Sequence, residues 1–295
     1  MLSILIPTYN YNISNLVLEI HKQATIANIE FEIICFDDNS KFFSKENQLT
    51  IDSLSHSKII NSKKNIGRTN AREKLSDEAN YDWLLFLDAD VLPKPKNFIK
   101  LYISKISSGF DVIYGGFAYS KEKPKKESIL RWKYGKNFEE IDANKRNLNP
   151  YQVIISANFF IKKVVFDNIN SKINKKSYGL DNYFAALLKQ NNISVLHINN
   201  EVYHFGLENS IVYLKKVEEC IITLLWLYNE KKMFKHNNKL LSVYVIIKQF
   251  KLNYLAMVFY KIFNSRIKKN LLSINPNMFL LQIYKLSYIS YKDLN

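Results

Sequence analysis

The stretch Trp83-Leu84-Leu85-Phe86-Leu87-Asp88-Ala89-Asp90 decides the fold class. Five apolar residues predict a buried strand, and two carboxylates one residue apart follow directly. Asp88 and Asp90 at the end of an apolar run are energetically costly unless a cation lies beside them. Mg²⁺ or Mn²⁺ is the expected cation, since both prefer oxygen ligands and leave coordination positions open for a substrate. A turn capped by aspartate side chains is the structural alternative.

Other short apolar runs alternate with segments of helical spacing in the first 115 residues. These runs are Leu2–Ile6, Phe31–Phe36, Lys58–Ile60 and Val112–Tyr114. The alternation predicts an α/β fold with a mainly parallel sheet flanked by helices. Ligands bind beyond the carboxyl ends of the strands in such sheets, so the polar residues after each run form the candidate site.

Three polar segments follow the earlier runs: Pro7-Thr8-Tyr9-Asn10, Asp37-Asp38-Asn39-Ser40, and Asn65-Ile66-Gly67-Arg68 with Arg72 beyond it. The aspartate pair can accept hydrogen bonds from a nucleobase or ribose, although Asp38 can also cap the next helix. Gly67 permits a tight turn. Arg68 and Arg72, one helical turn apart, suit a diphosphate, and a solvated helix face is the alternative.

The order of these motifs resembles that of the family 2 glycosyltransferases with the GT-A fold, a Rossmann-like mixed, mainly parallel sheet. The resemblance covers about residues 1–205. It implies an inverting transfer of a sugar from a nucleotide-sugar donor, for which a UDP-linked sugar is expected, with Mn²⁺ or Mg²⁺ as cofactor. The residues that it assigns to the donor nucleotide are Pro7, Tyr9, Asp37, Asp38, Asn65, Gly67, Arg68, Arg72 and Asp88.

The same resemblance assigns roles further along the chain. Asp90 and His204 are the implied metal ligands, with Asp88 as an additional candidate. Asp181 matches the family's general base, although Leu180 stands where the family usually has Glu. A helix cap is the alternative for Asp181. The implied acceptor residues are Ser156, Asn158 and Trp132.

Composition excludes several protein classes. The chain has 295 residues, 47% apolar and 23% charged, so a disordered chain is excluded. Its two cysteines, Cys35 and Cys220, are too far apart in sequence to suggest a disulfide framework or a cysteine metal site. No apolar run is as long as a membrane-spanning helix, and the N-terminus does not read as a secretion signal. We therefore expect a cytoplasmic protein, soluble or peripherally membrane-bound.

Charge separates two predicted regions. Residues 1–208 form the expected catalytic domain, with a nucleotide-sugar half (1–115) and an acceptor half (116–208), and residues 209–295 form a helical extension. Residues 211–295 carry a net charge of +10, out of +15 for the whole chain. A helix is predicted over 211–231. The basic, aromatic helices beyond it suit an anionic membrane surface that presents a lipid-linked acceptor, with an ordinary helical subdomain as the alternative.

Two other functions compete with sugar transfer to a saccharide or lipid-linked acceptor in bacterial surface polysaccharide synthesis. A sugar nucleotidyltransferase usually has a glycine-rich basic loop after its first strand, and Pro7-Thr8-Tyr9-Asn10 is not one. A basic membrane- or nucleic-acid-binding protein without transferase activity would also explain the charge. No nucleic-acid-binding motif is recognisable, so we expect no nucleic-acid partner.

Overall fold

The computed structural model describes residues 1–173 and 177–295. They form two compact units. The sheet unit comprises Met1–Ala118, the described part of Ile141–Lys176, and Asn191–Gly206. The helical unit comprises Tyr119–Glu140, Ser177–Gln190 and Leu207–Asn295.

The sheet unit is built on a seven-stranded sheet, counted within the described residues, with strand order β3-β2-β1-β4-β8-β6-β9. The strands are β1 (Leu2–Thr8), β2 (Phe31–Asp37), β3 (Ser57–Asn61), β4 (Trp83–Leu87), β6 (Val112–Tyr114), β8 (Asn158–Lys162) and β9 (Val195–His197). All except β8 run parallel to their neighbours, and β8 is antiparallel to β4 and β6. The predicted mixed, mainly parallel sheet is confirmed.

Strand order reverses between β1 and β4. The chain proceeds outward from β1 through β2 to β3, and then returns so that β4 lies on the other side of β1. Every residue of β4 is buried, as expected for a central strand covered on both faces. Such a reversal opens a crevice at the carboxyl ends of the two strands, so the polar residues after β1 and β4 share one edge.

A small second sheet completes this edge. Its strands, in the order β5-β10-β7, are β5 (Val91–Pro93), β10 (Val202–His204) and β7 (Phe117–Ala118). β10 is antiparallel to β5, and His204 is paired with Val91. This register brings His204 next to the residue that precedes β5, which is Asp90.

Helices of the sheet unit connect and cover its strands. They are α1 (Ser14–Ala27), α2 (Ser44–Asp52), α3 (Arg68–Asp77), α4 (Phe98–Ile103), α6 (Ala143–Asn147) and α7 (Lys163–Asn170). α1 packs with α2 and α4, and α3 packs on β1, β2 and α7. Apolar residues four apart, Leu16 with Ile20 and Ala71 with Leu75, form the buried faces of α1 and α3.

The helical unit contains a short 3₁₀ turn (Lys126–Ser128) and six α-helices within the described residues. They are α5 (Ile129–Phe138), α8 (Asp181–Gln190), α9 (Ser210–Asn229), α10 (Lys239–Gln249), α11 (Asn253–Leu271) and α12 (Met278–Asp293), with α5 continuing directly from the 3₁₀ turn. The helix predicted over 211–231 is confirmed as α9, which packs against α5 and α12. No helix in the two described ranges is both long enough and apolar enough to cross a bilayer.

The two units do not follow the domain boundary expected at residue 208. Residues 119–140 and 177–190, which the sequence groups with the catalytic region, are compact with the C-terminal helices instead. The physical reason is packing within that unit. Ser128 Oγ donates a hydrogen bond to the Leu207 carbonyl, and Ser210 Oγ donates one to the Glu127 carbonyl.

Candidate active site

Asp88 follows β4 and is held by an arginine from α3. Arg72 is 6% exposed, and its Nη2 lies 2.5 Å from Asp88 Oδ1. The same nitrogen donates a hydrogen bond of 3.1 Å to the carbonyl of Ser156. Arg72 therefore holds the Asp88 carboxylate in a fixed orientation. The prediction that Arg72 itself contacts a diphosphate does not fit this burial and pairing, because its charge is already directed at Asp88.

Asp90 and His204 lie side by side at the end of the second sheet. Nε2 of His204 is 3.3 Å from Oδ2 of Asp90, and the two side chains are 10% and 28% exposed, respectively. The Phe205 amide donates to the Asp90 carbonyl at 2.9 Å. The structure thus brings together the two residues that the sequence assigned to a metal, although 114 positions separate them in the chain.

Gly206 is a residue of this site that the sequence analysis missed. A Cβ atom built on Gly206 would overlap Oδ2 of Asp90, so only glycine lets the carboxylate lie against the 205–206 backbone. The available signal was its position two residues after His204. Tyr11 was missed as well. Burial raises the pKa of Tyr11, and the negative charge of Asp90 raises it further, which places this phenol near the Asp90 carboxylate.

Asp37 lines a cavity of about 560 Å³ at the end of β2. It is 2% exposed and accepts hydrogen bonds from the Ser40 amide (2.7 Å) and the Ser44 hydroxyl. The remaining lining comes from the loop after β2, from α2 and from the end of β3: Asn39, Ser40, Ser44, Lys45, Gln48, Leu49, Asn61 and Ser62. Asp37 therefore shapes one wall of a cavity beside the sheet edge.

Asp38 fixes the loop that precedes α3. Its two carboxylate oxygens accept hydrogen bonds from the amides of Ile66 (2.6 Å) and Gly67 (2.8 Å), and its carbonyl accepts one from Asn65 Nδ2 (3.2 Å). Gly67 has φ +83°, a conformation that favours glycine. The two predicted motifs thus meet, and Asp38 positions the loop from which α3 and Arg68 begin.

The other predicted donor residues lie around this edge with different exposure. Pro7 is a half-buried residue of β1, while Tyr9 just beyond the strand is 51% exposed. Arg68 is the first residue of α3 and is half-buried. Asn10 ties the two loops together, because its Oδ1 accepts a hydrogen bond of 2.7 Å from the Lys41 amide.

Asn158 lies in the core of the sheet unit and not at an acceptor site. It is completely buried, and it accepts a hydrogen bond of 2.6 Å from the Tyr102 hydroxyl. Its Nδ2 donates to the carbonyls of Gly116 (3.0 Å) and Asn200 (2.9 Å). In this structure Asn158 offers no surface to an acceptor, so we do not place it there. Ser156, two residues earlier, is half-buried at the edge.

Asp181 is the first residue of α8 in the helical unit. Leu180 before it is 4% exposed and belongs to the core of that unit. Gly179 has φ +90°, and a Cβ atom there would lie 2.6 Å from the Cys220 sulfur on α9. The turn before α8 is thus fixed by packing on α9, and a buried Leu explains why no second carboxylate is present at position 180.

Trp132 lies on α5 in the helical unit. Its Nε1 donates a hydrogen bond of 3.0 Å to the Ser120 carbonyl, and its ring is half-buried. Part of the indole is therefore accessible, as a stacking role for a sugar would require.

Comparison with known proteins identifies the family. Residues 3–169, more than half of the chain, match the family described as glycosyl transferase family 2. The chain belongs to this family. A relative from Synechocystis sp., named as an uncharacterized glycosyltransferase, is 33% identical over 118 residues. That match spans 38% of this chain and only 36% of the cyanobacterial protein.

Solved structures show the same fold at low sequence identity. The chain matches TarS of S. aureus (residues 1–349) with a TM-score of 0.52 and 18% identity, over 76% of this chain and 65% of TarS. The same region of TarS solved with UDP-GlcNAc gives a TM-score of 0.52 and 16% identity, over 76% and 66%. The mannosyltransferase PcManGT of Pyrobaculum calidifontis, solved with GDP-Man and Mn²⁺, gives 0.51 and 10%, over 75% and 61%.

The donor atoms at the edge of this family 2 protein fit a hard divalent cation. Asp90 supplies a carboxylate and His204 an imidazole, and Gly206 leaves the carboxylate in contact with backbone alone on that side. Within residues 1–173 and 177–295, no three His, Cys, Asp or Glu side chains converge on one point. Asp88 is directed at Arg72, which makes it a poorer candidate ligand than Asp90.

His197 forms a buried pair with Arg146. Its Nδ1 accepts a hydrogen bond of 2.8 Å from Arg146 Nη1, and its Nε2 donates one of 2.8 Å to the Pro150 carbonyl. Burial, together with the positive charge of Arg146, lowers the pKa of His197 to about 4. Arg146 also donates to three backbone carbonyls at the ends of β6 and β9, those of Tyr114, Gly115 and Ile198.

Proposed function

We propose that this protein transfers a sugar, with inversion at the anomeric carbon, from a nucleoside-diphosphate sugar to a hydroxyl of its acceptor. Family membership supports transferase chemistry, and the observation that carries the proposal is the Asp90–His204 pair at the edge of the sheet. A UDP-linked donor is proposed because TarS, which has a similar fold, was solved with UDP-GlcNAc.

The nucleoside is proposed to lie at the ends of β1 and β2. Asp37 lines the cavity at the end of β2. The loop before α3, which Asp38 holds by hydrogen bonds, lies next to that cavity along the sheet edge. Tyr9 offers an exposed ring that a base can contact. Of the two arginines predicted to contact the diphosphate, Arg68 is kept in the proposal because its side chain is half-exposed at the start of α3, whereas Arg72 is buried.

Asp90 and His204 are the residues proposed to hold Mn²⁺ or Mg²⁺. Two protein ligands would leave coordination positions open for the donor's phosphate oxygens. A bound cation would neutralise the charge that develops on the leaving diphosphate. Arg72 contributes by keeping Asp88 in a fixed orientation beside this site, where it can accept a hydrogen bond from the ribose.

Asp181 is proposed as the general base that takes the proton of the acceptor hydroxyl. A single carboxylate is sufficient to accept this proton. The hydroxyl oxygen then attacks the anomeric carbon from the side opposite the diphosphate. The C–O bond to the acceptor forms as the bond to the diphosphate breaks. Ser156 and Trp132 remain the proposed acceptor contacts.

The acceptor is proposed to be a saccharide or a lipid-linked saccharide of bacterial surface polysaccharide synthesis, reached at the inner face of the cytoplasmic membrane. The basic C-terminal region supports this location, since the cytoplasmic leaflet is anionic.

Donor hydrolysis with Mn²⁺ tests the proposal on a panel of UDP-, GDP-, dTDP- and CMP-sugars. We expect one UDP-sugar to be hydrolysed, with loss of activity in EDTA. Asp90→Ala is expected to abolish this activity, a loss of at least roughly 10³-fold, without unfolding, since the side chain lies at a polar edge and leaves no core cavity.

Asp82→Ala, an exposed residue directly before β4 and therefore at the opposite end of that strand from the proposed site, is the matched control and should retain full activity. Full activity of Asp90→Ala in EDTA would overturn the metal assignment. Hydrolysis of no nucleotide sugar, with or without candidate acceptors, would overturn the transferase assignment.

A further inference from the structure

Helices α10 and α11 expose apolar side chains that helices of a closed core would bury. On α10 and its C-terminal end, Val243, Ile246 and Phe250 are 45%, 54% and 71% exposed. Their spacing of three and four residues places them on one face. The buried residues of the same helix are Leu241 and Tyr244. α10 therefore has apolar residues on its solvent side as well as on its core side.

The same arrangement continues on α11. Its core side is formed by Asn253, Tyr260, Ile267 and Leu271, and Tyr260 packs against Tyr284, Tyr288 and Tyr291 of α12. The exposed apolar residues are Leu255, Val258 and Ile262. At 3.6 residues per turn they lie about 140–200° around the helix from Asn253, so they face away from α12. α12 packs on the core side of α11, and the opposite side with Leu255, Val258 and Ile262 is exposed.

The turn between the two helices is also apolar and exposed. Leu252 is 47% exposed and Tyr254 54%. We call the residues of both stripes and this turn the α10–α11 surface: Val243, Ile246, Phe250, Leu252, Tyr254, Leu255, Val258 and Ile262. Exposed apolar residues that recur at helical spacing on two successive helices and in the turn between them mark an interaction site, because isolated exposed residues would not recur in this way.

Positive charge surrounds the α10–α11 surface. From Lys231 to Lys292 the sequence has twelve Lys or Arg residues and no Asp or Glu. Some of these cations are paired internally, as Lys248 is with Asp293 and Lys268 with Glu218. Lys251, Lys261 and Lys269 are exposed, and they form no ion pair in the described part of the chain. An apolar stripe is thus bordered by cations that face solvent.

We propose that the α10–α11 surface binds the anionic surface of a phospholipid bilayer. Apolar residues would enter the boundary between headgroups and acyl chains, while the lysine ammonium groups would lie among the lipid phosphates. Charge complementarity selects this occupant. A second copy of the chain would bring two strongly basic surfaces together, and an acidic protein would match the lysines without requiring so continuous an apolar stripe.

The proposal goes beyond sugar transfer and is tested separately from it. Flotation of the full chain with vesicles measures binding directly. Anionic vesicles of equal parts phosphatidylglycerol and phosphatidylcholine are compared with neutral vesicles of phosphatidylcholine alone. We expect flotation with the anionic vesicles only, and less of it as NaCl is raised. Sedimentation equilibrium without lipid should show no self-association.

Two triple variants test the apolar and the electrostatic contributions to vesicle binding separately. Phe250→Ser/Leu255→Ser/Ile262→Ser should abolish flotation, and the matched control is Leu49→Ser/Leu148→Ser/Val164→Ser, since those residues are 71–78% exposed in the sheet unit. Lys251→Gln/Lys261→Gln/Lys269→Gln should weaken binding roughly tenfold to a hundredfold. Lys96→Gln/Lys100→Gln/Lys145→Gln, all exposed in the sheet unit, is its control.

The outcomes separate the candidate partners. No flotation at low salt overturns the proposal, as does equal flotation with neutral vesicles or a loss that the control variants share. Self-association that the serine variant removes would assign the surface to a second copy. Donor hydrolysis measured on the same samples without vesicles is expected to be unchanged in all four variants. A protein that floats but hydrolyses no nucleotide sugar would contradict the proposed function alone.

Discussion

The sheet unit and the helical unit use apolar residues in opposite ways. In the sheet unit all five residues of β4 are buried, and polar side chains are concentrated beyond the strand ends. On α11 of the helical unit only four of nineteen residues are buried, and Leu255 and Ile262 face solvent. The difference teaches that apolar pattern alone does not identify a core. A central strand has neighbours on both faces, whereas a peripheral helix has them on one.

Whether the helical unit contributes to catalysis is the sharpest test of this contrast. Asp181→Asn is expected to lower turnover by roughly 10²–10⁴-fold with donor affinity nearly unchanged, because it removes a general base without changing the size of the side chain. Steady-state kinetics and donor titration would check it. Glu219→Gln, exposed on α9, is the control. Loss of donor affinity at normal turnover would make Asp181 a binding residue.

The same substitution in each unit tests the packing contrast. Leu85→Ala in β4, where Leu85 is fully buried, should lower the free energy of unfolding by about 3 kcal/mol. Leu255→Ala on α11, where the side chain is 67% exposed, should change it by less than about 0.5 kcal/mol. Urea denaturation measures both. Similar losses at the two positions would show that the exposed stripe is covered in the isolated protein.

Acid stability is expected to depend on the sheet unit through His197. Its pKa is lowered to about 4 in the folded protein, from an ordinary value of 6.5. Between these values the unfolded chain binds a proton that the folded chain does not, so stability decreases as pH falls from 6.5 towards 4. The full effect is about 3 kcal/mol. His236 in the helical unit, whose pKa burial also lowers, acts in the same direction.

Urea midpoints at pH 7.0, 5.5 and 4.5 would measure this dependence. His197→Gln, which cannot be protonated, should have a lower midpoint at pH 7.0 but a flatter dependence on pH. An unchanged pH dependence in that variant would assign the acid sensitivity to other groups.

The smallest expected effect concerns the backbone beside Asp90. Gly206→Ala would displace the carboxylate, so we expect metal-dependent activity to fall by roughly 10–100-fold, with a raised Mn²⁺ requirement. Gly109→Ala is the control, because an added methyl group there meets nothing within 4 Å, and only the positive φ is strained. Mn²⁺ titration of donor hydrolysis measures both. Equal effects at the two glycines would indicate backbone strain and no role at the metal site.

The sequence by itself determined five strands, β1 to β4 and β6, and the polar edge beyond them. Trp83–Leu87 and Val112–Tyr114 have the predicted bounds, and α9 lies where helical spacing predicted it. These features depend on local periodicity, which a single chain displays directly. The convergence of the segments after β1, β2 and β4 follows too, because the carboxyl ends of parallel strands share one edge. Asp38 and Asp90 are predicted as site residues for that reason.

Only the tertiary structure decided which polar residues are committed to the protein itself. Arg72 pairs with Asp88, and the Asn158 side chain forms its hydrogen bonds with Tyr102, Gly116 and Asn200 inside the sheet unit. Gly206 lies against Asp90 through the pairing of β5 and β10, and residues 119–140 join the helical unit. Each outcome depends on contacts between segments distant in the chain. Burial and pairing are properties of that three-dimensional arrangement, so no local pattern of residues encodes them.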